Sequence, residues 1–133
     1  MRAVLDTNVL MSGIFWRGTP GRILDLWYEK QFDLLISPDI LNEYVRITEE
    51  LQHTFPKIQV KPLLDLIALN AHFVDPGKIP IPFCEDPDDE IFLTAAIAGR
   101  SRFIVTGDKA LLRVEKYPGG KVVSAKQFIA EIS

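Results

Sequence analysis

The chain has almost no cysteine, no excess of basic residues, no long apolar stretch and no internal repeat or low-complexity segment. A single cysteine, Cys84, excludes an intramolecular disulfide and leaves no thiolate set for a zinc cluster. Such usage fits a cytoplasmic protein. Lys and Arg number 15 against 18 Asp and Glu, a net charge of −3, so this is not a generally basic nucleic-acid binder. Any polyanion would have to meet a local basic patch or a metal ion. No apolar stretch approaches the ~20 residues that span a bilayer, so no membrane partner is expected. The opening Met-Arg-Ala-Val-Leu-Asp resembles a signal peptide only superficially, since Asp6 interrupts the run and no small-residue cleavage site follows.

What is present is an ordinary globular composition: 47% hydrophobic and 25% charged over 133 residues, consistent with one domain over 1–133. Two stretches organise it, Ala3-Val4-Leu5-Asp6-Thr7-Asn8 and Phe103-Ile104-Val105-Thr106-Gly107-Asp108. Each is a short apolar run closing on a polar tip with a carboxylate, as a buried parallel strand does at its carboxyl end. After strand Ala3–Asp6, Asn8 to Met11 opens a short helix that Gly13 and the 17–21 loop should break. Arg22–Lys30 reads as a helix and Phe32–Ser37 as a second buried strand. Ser37 at an N-cap and Pro38 at N1 start a helix to about His53, with Ile40, Tyr44, Ile47 and Leu51 as its core face. Glu43 lies on the flank of that stripe, roughly 80° from its centre at 100° per residue.

Val60–Ala71 is a further amphipathic helix and Phe73-Val74 a brief strand. Pro76, Pro80, Pro82 and Pro87 make 75–87 a loop of restricted backbone freedom. Asp86 as N-cap and Pro87 at N1 open a helix that is apolar or small nearly all round from Ile91 to Ala98. Strand Phe103–Thr106, a short helix at Lys109–Arg113, an edge strand near Val122-Val123 and a last helix, Ala125–Ile132 capped by Ser124, complete the chain. Strands alternating with helices predict a three-layer α/β/α sandwich around a parallel sheet.

In such a sheet, helices start at the rim where strands end, which can gather Asp6, Glu43, Asp89 and Asp108 into one pocket. Taken singly, each acid has a plainer explanation. Asp86, Asp88 and Asp89 suit capping and the helix dipole, Asp108 suits a cap of the short helix, and Glu43 suits a solvated face. Taken together they repel, and a cluster at neutral pH needs cations, hydrogen bonds or raised pKa values. Oxygen-only ligands suit Mg²⁺ or Mn²⁺ rather than zinc. Such ions activate water and stabilise the charge of an in-line phosphodiester displacement.

Val4-Leu5-Asp6-Thr7-Asn8, Ile40-Leu41-Asn42-Glu43-Tyr44, Asp86-Pro87-Asp88-Asp89-Glu90 leading into Phe92-Leu93 and Ala95-Ala96, and Val105-Thr106-Gly107-Asp108 occur in this order. With Ser124-Ala125-Lys126-Gln127-Phe128 before the last helix, they make nearly the whole chain resemble a PIN domain, and more closely the VapC-like toxin components of toxin–antitoxin systems. The resemblance implies a Mg²⁺- or Mn²⁺-dependent endoribonuclease acting on single-stranded or loop RNA, with an antitoxin protein as partner, and it leaves open whether the chain forms a homodimer. Carried over by motif, Asp6, Glu43, Asp89 and Asp108 are the implied metal-site acids. Asp86 and Asp88 are near alternatives to Asp89, which the Phe92-Leu93-Ala96 register favours. Thr7, Asn8 and Thr106 are implied as supporting or substrate-positioning groups, Asn8 and Thr106 foremost.

Two other readings compete. A receiver domain wants adjacent acids after the first strand and a haloacid-dehalogenase-like phosphatase wants Asp-x-Asp there, whereas this chain has Asp6-Thr7-Asn8. A non-catalytic RNA- or protein-binding module on the same fold would not need the four acids. Around the rim, Arg17, Arg22, Arg46, Arg100, Arg102, Lys109 and Arg113 are candidate phosphate contacts.

Overall fold

In a computed structural model describing residues 1–132, the first apolar run is strand β1 (Arg2–Leu5). Ala3, Val4 and Leu5 are all buried, and because successive strand residues point to opposite faces, both faces of the sheet are covered there. Asp6 caps helix α1 (Thr7–Phe15), followed by α2 (Gly18–Tyr28), β2 (Asp33–Ile36) and the long α3 (Pro38–Thr54). Then come α4 (Lys61–Asn70), β3 (His72–Phe73), the proline-rich segment and a 3-10 turn, Pro87–Asp89, that runs into α5 (Glu90–Ala98). The chain ends with β4 (Phe103–Val105), α6 (Lys109–Leu112), β5 (Lys116–Tyr117), β6 (Gly120–Val123) and α7 (Ala125–Ile132).

The six strands lie in the order β3-β2-β1-β4-β6-β5, parallel except for the β5–β6 pair. β1 is central because it has no charged residue after Arg2 and so can be buried on both faces. From β1 the chain builds outward to β2 and β3, then returns to the other side with β4. The β1–β4 seam is therefore where strand order reverses, and open α/β sheets bind ligands outside the carboxyl ends at such a seam. Its register pairs Leu5 with Val105, so Asp6 and Thr106 emerge side by side. Helix α5 packs against β1, β2 and β4, and α7 packs against β4 and α2. Phe128 of α7 meets Phe32 and Phe103 edge-on, closing the core there.

Four expectations need correction. Gly13 does not break α1: it lies inside the helix, where a Cβ would come within 2.8 Å of the Pro20 carbonyl and 2.9 Å of Leu24. Its lack of a side chain lets α1 and α2 approach closely. Helix α2 starts at Gly18, earlier than Arg22, because the left-handed turn at Arg17 and Gly18 completes the reversal before Pro20. β6 is not the sheet edge, since β5 pairs with it through the Tyr117–Gly120 hairpin. Helix α5 is also less enclosed than its composition predicts: Phe92, Leu93, Ala95 and Ala96 are buried, while Ala98 is exposed.

Candidate functional site

At the carboxyl end of the β1–β4 seam lies a cleft of about 180 Å³, lined by Asp6, Thr7, Asn8, Glu43, Ile47, Asp86, Asp88, Asp89, Phe92 and Asp108. All four acids assigned on resemblance reach it, from β1, α3, the 3-10 turn and the loop after β4. Thr106 stands beneath it, fully buried.

Each side chain is held by the local structure that puts it there. Asp6 has an extended backbone and caps α1, with Oδ1 accepting from the Val9 N–H at 2.8 Å. Its Oδ2 accepts from the Thr106 hydroxyl, and Thr106 Oγ1 in turn accepts the Asp108 N–H at 2.9 Å. Asp108 Oδ1 caps α6 through the Ala110 N–H at 2.8 Å, and Asp86 Oδ1 accepts from the Asp88 N–H at 3.0 Å. The capping explanation thus holds for Asp6, Asp86 and Asp108, and it uses one oxygen of each. It does not hold for Asp89, whose side chain makes no capping bond and whose Oδ2 is buried with no hydrogen-bond partner among the described residues.

Asp86, Asp89 and Asp108 each bring one oxygen within 4.8 Å of the others. Asp86, a near alternative to Asp89 on resemblance, is therefore in the tightest acid group, while Asp88 lines the cleft from an exposed position. Asp6 and Glu43 face the same cleft from outside that trio. Glu43 is half-buried, as its flanking place on α3 predicts, and its Oε1 is 2.8 Å from the Arg46 guanidinium, which also holds Glu50 at 3.1 Å.

The electrostatics follow from crowding and burial. The Asp89 carboxyl is pushed up to about 7, first by burial, then by the neighbouring Asp108 carboxyl within hydrogen-bonding reach, with Asp86 and Asp6 adding repulsion. Burial also raises Asp6, against the opposing hydrogen bonds from Thr106 and Val9. Two carboxylates so close either share a proton or need a cation between them. An all-oxygen donor set with one buried oxygen lacking a partner fits a hard divalent cation. Asp86, Asp89 and Asp108 are placed to hold it, with Asp6 and Glu43 within the same cleft.

Several groups carry signals that were hard to weigh in the sequence. Thr7 is buried with its Oγ1 unpartnered on the cleft wall, and Ile47 and Phe92 form apolar sides to it although they read only as core-face residues. Many of the proposed phosphate-binding arginines already have partners: Arg17 with Asp25, Arg22 with Glu29, and Arg113 with Glu85. Arg102 lies over the Phe103 ring.

Known proteins give this arrangement a family. Residues 2–110 match the sequence model of the PIN domain. The uncharacterized protein MJ1680 of Methanocaldococcus jannaschii is 29% identical over 143 aligned positions, covering 98% of this chain and 91% of that protein. A chain from the crystal structure of VapBC2 from Rickettsia felis, bound to a DNA fragment from their promoter, shares the fold with a TM-score of 0.53 at 19% identity. That match covers 93% of this chain and 98% of the other. A PIN domain match over most of the chain, on a sheet whose acids meet at the β1–β4 seam, makes this protein a member of the PIN domain family.

Proposed function

We propose that the chain is a Mg²⁺- or Mn²⁺-dependent endoribonuclease that hydrolyses phosphodiester bonds of single-stranded or loop RNA, and that it is the toxin of a toxin–antitoxin pair. The observation that carries this reading is Asp89: a buried carboxylate oxygen without a partner, facing Asp86 and Asp108 in an acid cleft at the switch point of the sheet. Capping accounts for one oxygen each of Asp6, Asp86 and Asp108, but it does not explain that oxygen of Asp89.

In this reading Asp6, Glu43, Asp89 and Asp108, joined by Asp86, hold one or two divalent cations, with Asp88 beside them. A bound cation supplies water activation and charge stabilisation for in-line displacement at phosphorus. The chain's own part is placement. Thr106 fixes Asp6 through its hydroxyl and fixes the backbone before α6 through the Asp108 N–H. Asn8, exposed at the cleft, is a neutral group available to a phosphate or ribose hydroxyl. Ile47 and Phe92 give the cleft apolar walls, which strengthen the electrostatics inside it.

The antitoxin partner, a homodimeric assembly and a cytoplasmic setting belong to the same proposal. Its support is the fold shared with a chain of VapBC2, a protein solved on promoter DNA. The acid set favours this nuclease reading over a non-catalytic module, because a cluster whose carboxyls repel has a cost that binding alone does not require. The test is cleavage of a fluorescent single-stranded RNA with Mn²⁺, with Mg²⁺ and with EDTA. Cleavage should require the metal and fall at least 100-fold in Asp6→Asn and Asp89→Asn. EDTA-resistant cleavage, or wild-type rates in those variants, overturns the reading.

A further inference from the structure

The segment between β3 and the 3-10 turn places an aromatic ring in solvent three positions before Asp86, a residue of the acid cleft. Phe83 is 85% exposed, more than Trp16 at 58%. Its neighbours face the other way: Ile81 packs on the core and Cys84 is buried in it. Glu85 is tied to Arg113 at 2.8 Å, which pins the segment to the end of α6, and Asp86 is already in the cleft. Pro80, Pro82 and Pro87 restrict the backbone on both sides of the ring.

A ring turned outward by anchored neighbours on a stiff segment is held in water at a lasting cost in apolar exposure. Phe83 lies three positions before Asp86, with two residues between them, a backbone reach of about 10 Å at most.

We propose that Phe83 is a base-stacking subsite, taking the face of one unpaired nucleobase of a single-stranded substrate next to the scissile phosphodiester. Every base has a π face, so the subsite is tolerant of sequence but selects against duplex, whose bases are already stacked. It supplies affinity without phosphate contacts, which suits an acidic chain with many of its rim arginines in ion pairs. The subsite deepens the nuclease reading by specifying how its substrate is gripped.

The experiment measures both affinity and turnover on a 12-nucleotide single-stranded RNA carrying 2-aminopurine at successive positions, with the same RNA as a duplex. Expected results are quenching of 2-aminopurine at one position, a 5-fold or larger rise in Kd and KM in Phe83→Ala, and a kcat within 2-fold of wild type. Phe83→Trp should retain affinity, whereas Phe83→Leu, apolar but without a π face, should behave like alanine. Wild-type Kd and KM in Phe83→Ala, or full affinity in Phe83→Leu, overturns the subsite. So does a loss of association with a protein partner while RNA affinity stays intact. If wild-type protein cleaves RNA and Phe83→Ala is unaffected, the subsite alone fails. If RNA binds in a Phe83-dependent way and no metal supports cleavage, the nuclease reading fails and the subsite stands.

Discussion

Thr106 and Asp6, one hundred residues apart in the chain, are joined by a buried hydrogen bond from the threonine hydroxyl to a carboxylate oxygen. The same hydroxyl oxygen accepts the Asp108 N–H. One side chain at the end of β4 therefore sets the position of two of the acids. Thr106→Ala removes a bond to a buried carboxyl and should cost about 1 to 3 kcal/mol in urea unfolding. Thr106→Ser keeps the hydroxyl and should recover most of that loss, together with RNA cleavage. Equal stability of Thr106→Ala and wild type would contradict the linkage.

Asp89 predicts an unusual pH dependence. Its carboxyl titrates near 7 in the folded chain and near 3.8 when unfolded. Between those values the folded state binds the extra proton, so the metal-free protein loses stability as pH rises through the window, and the contribution is full only below it. Asp89→Asn lacks this proton site. In EDTA its urea midpoint should therefore gain on wild type between pH 4.5 and 7.5. Added Mn²⁺ should reverse the order at pH 7.5, since a cation binding the folded state stabilises it. Parallel pH curves for the two proteins would argue against the crowded carboxyl.

Arg46 offers a contrast. It pairs with Glu43 and Glu50 on the exposed side of α3. Arg46→Ala should change stability by no more than about 1 kcal/mol, as surface ion pairs do. Glu43→Gln should likewise leave the fold intact while weakening Mn²⁺ binding in calorimetric titration. Unchanged Mn²⁺ affinity in Glu43→Gln would remove Glu43 from the site.

Gly13 separates fold from site. A side chain there meets the Pro20 carbonyl and Leu24 at under 3 Å, so Gly13→Val should destabilise the protein by about 1 to 3 kcal/mol through overpacking. At a temperature where the variant stays folded, Mn²⁺ affinity should match wild type, because Gly13 faces α2 rather than the cleft.

The parts legible in the sequence are those dictated by local chemistry. Ala3-Val4-Leu5 and Phe103-Ile104-Val105 can only be strands buried on both faces, and their polar ends had to emerge together once paired. Ser37-Pro38 announced α3 by its cap, and the flanking position of Glu43 followed from helical period. Other features depended on tertiary contact. Gly13 reads as a breaker until α2 is seen against it, and β6 reads as an edge until the hairpin adds β5. Among the adjacent aspartates, sequence could not separate the oxygen that caps from the oxygen that is left over. That distinction needed the 3-10 turn, which leaves Asp89 uncapped and brings Asp86 into the trio.

The most direct test of the cation-binding cleft is the anomalous difference density of crystals soaked in Mn²⁺. A peak bounded by Asp86, Asp89 and Asp108, with Asp6 or Glu43 on its flank, is the predicted result. No peak in the cleft at saturating Mn²⁺, with the carboxylates splayed apart, would contradict it.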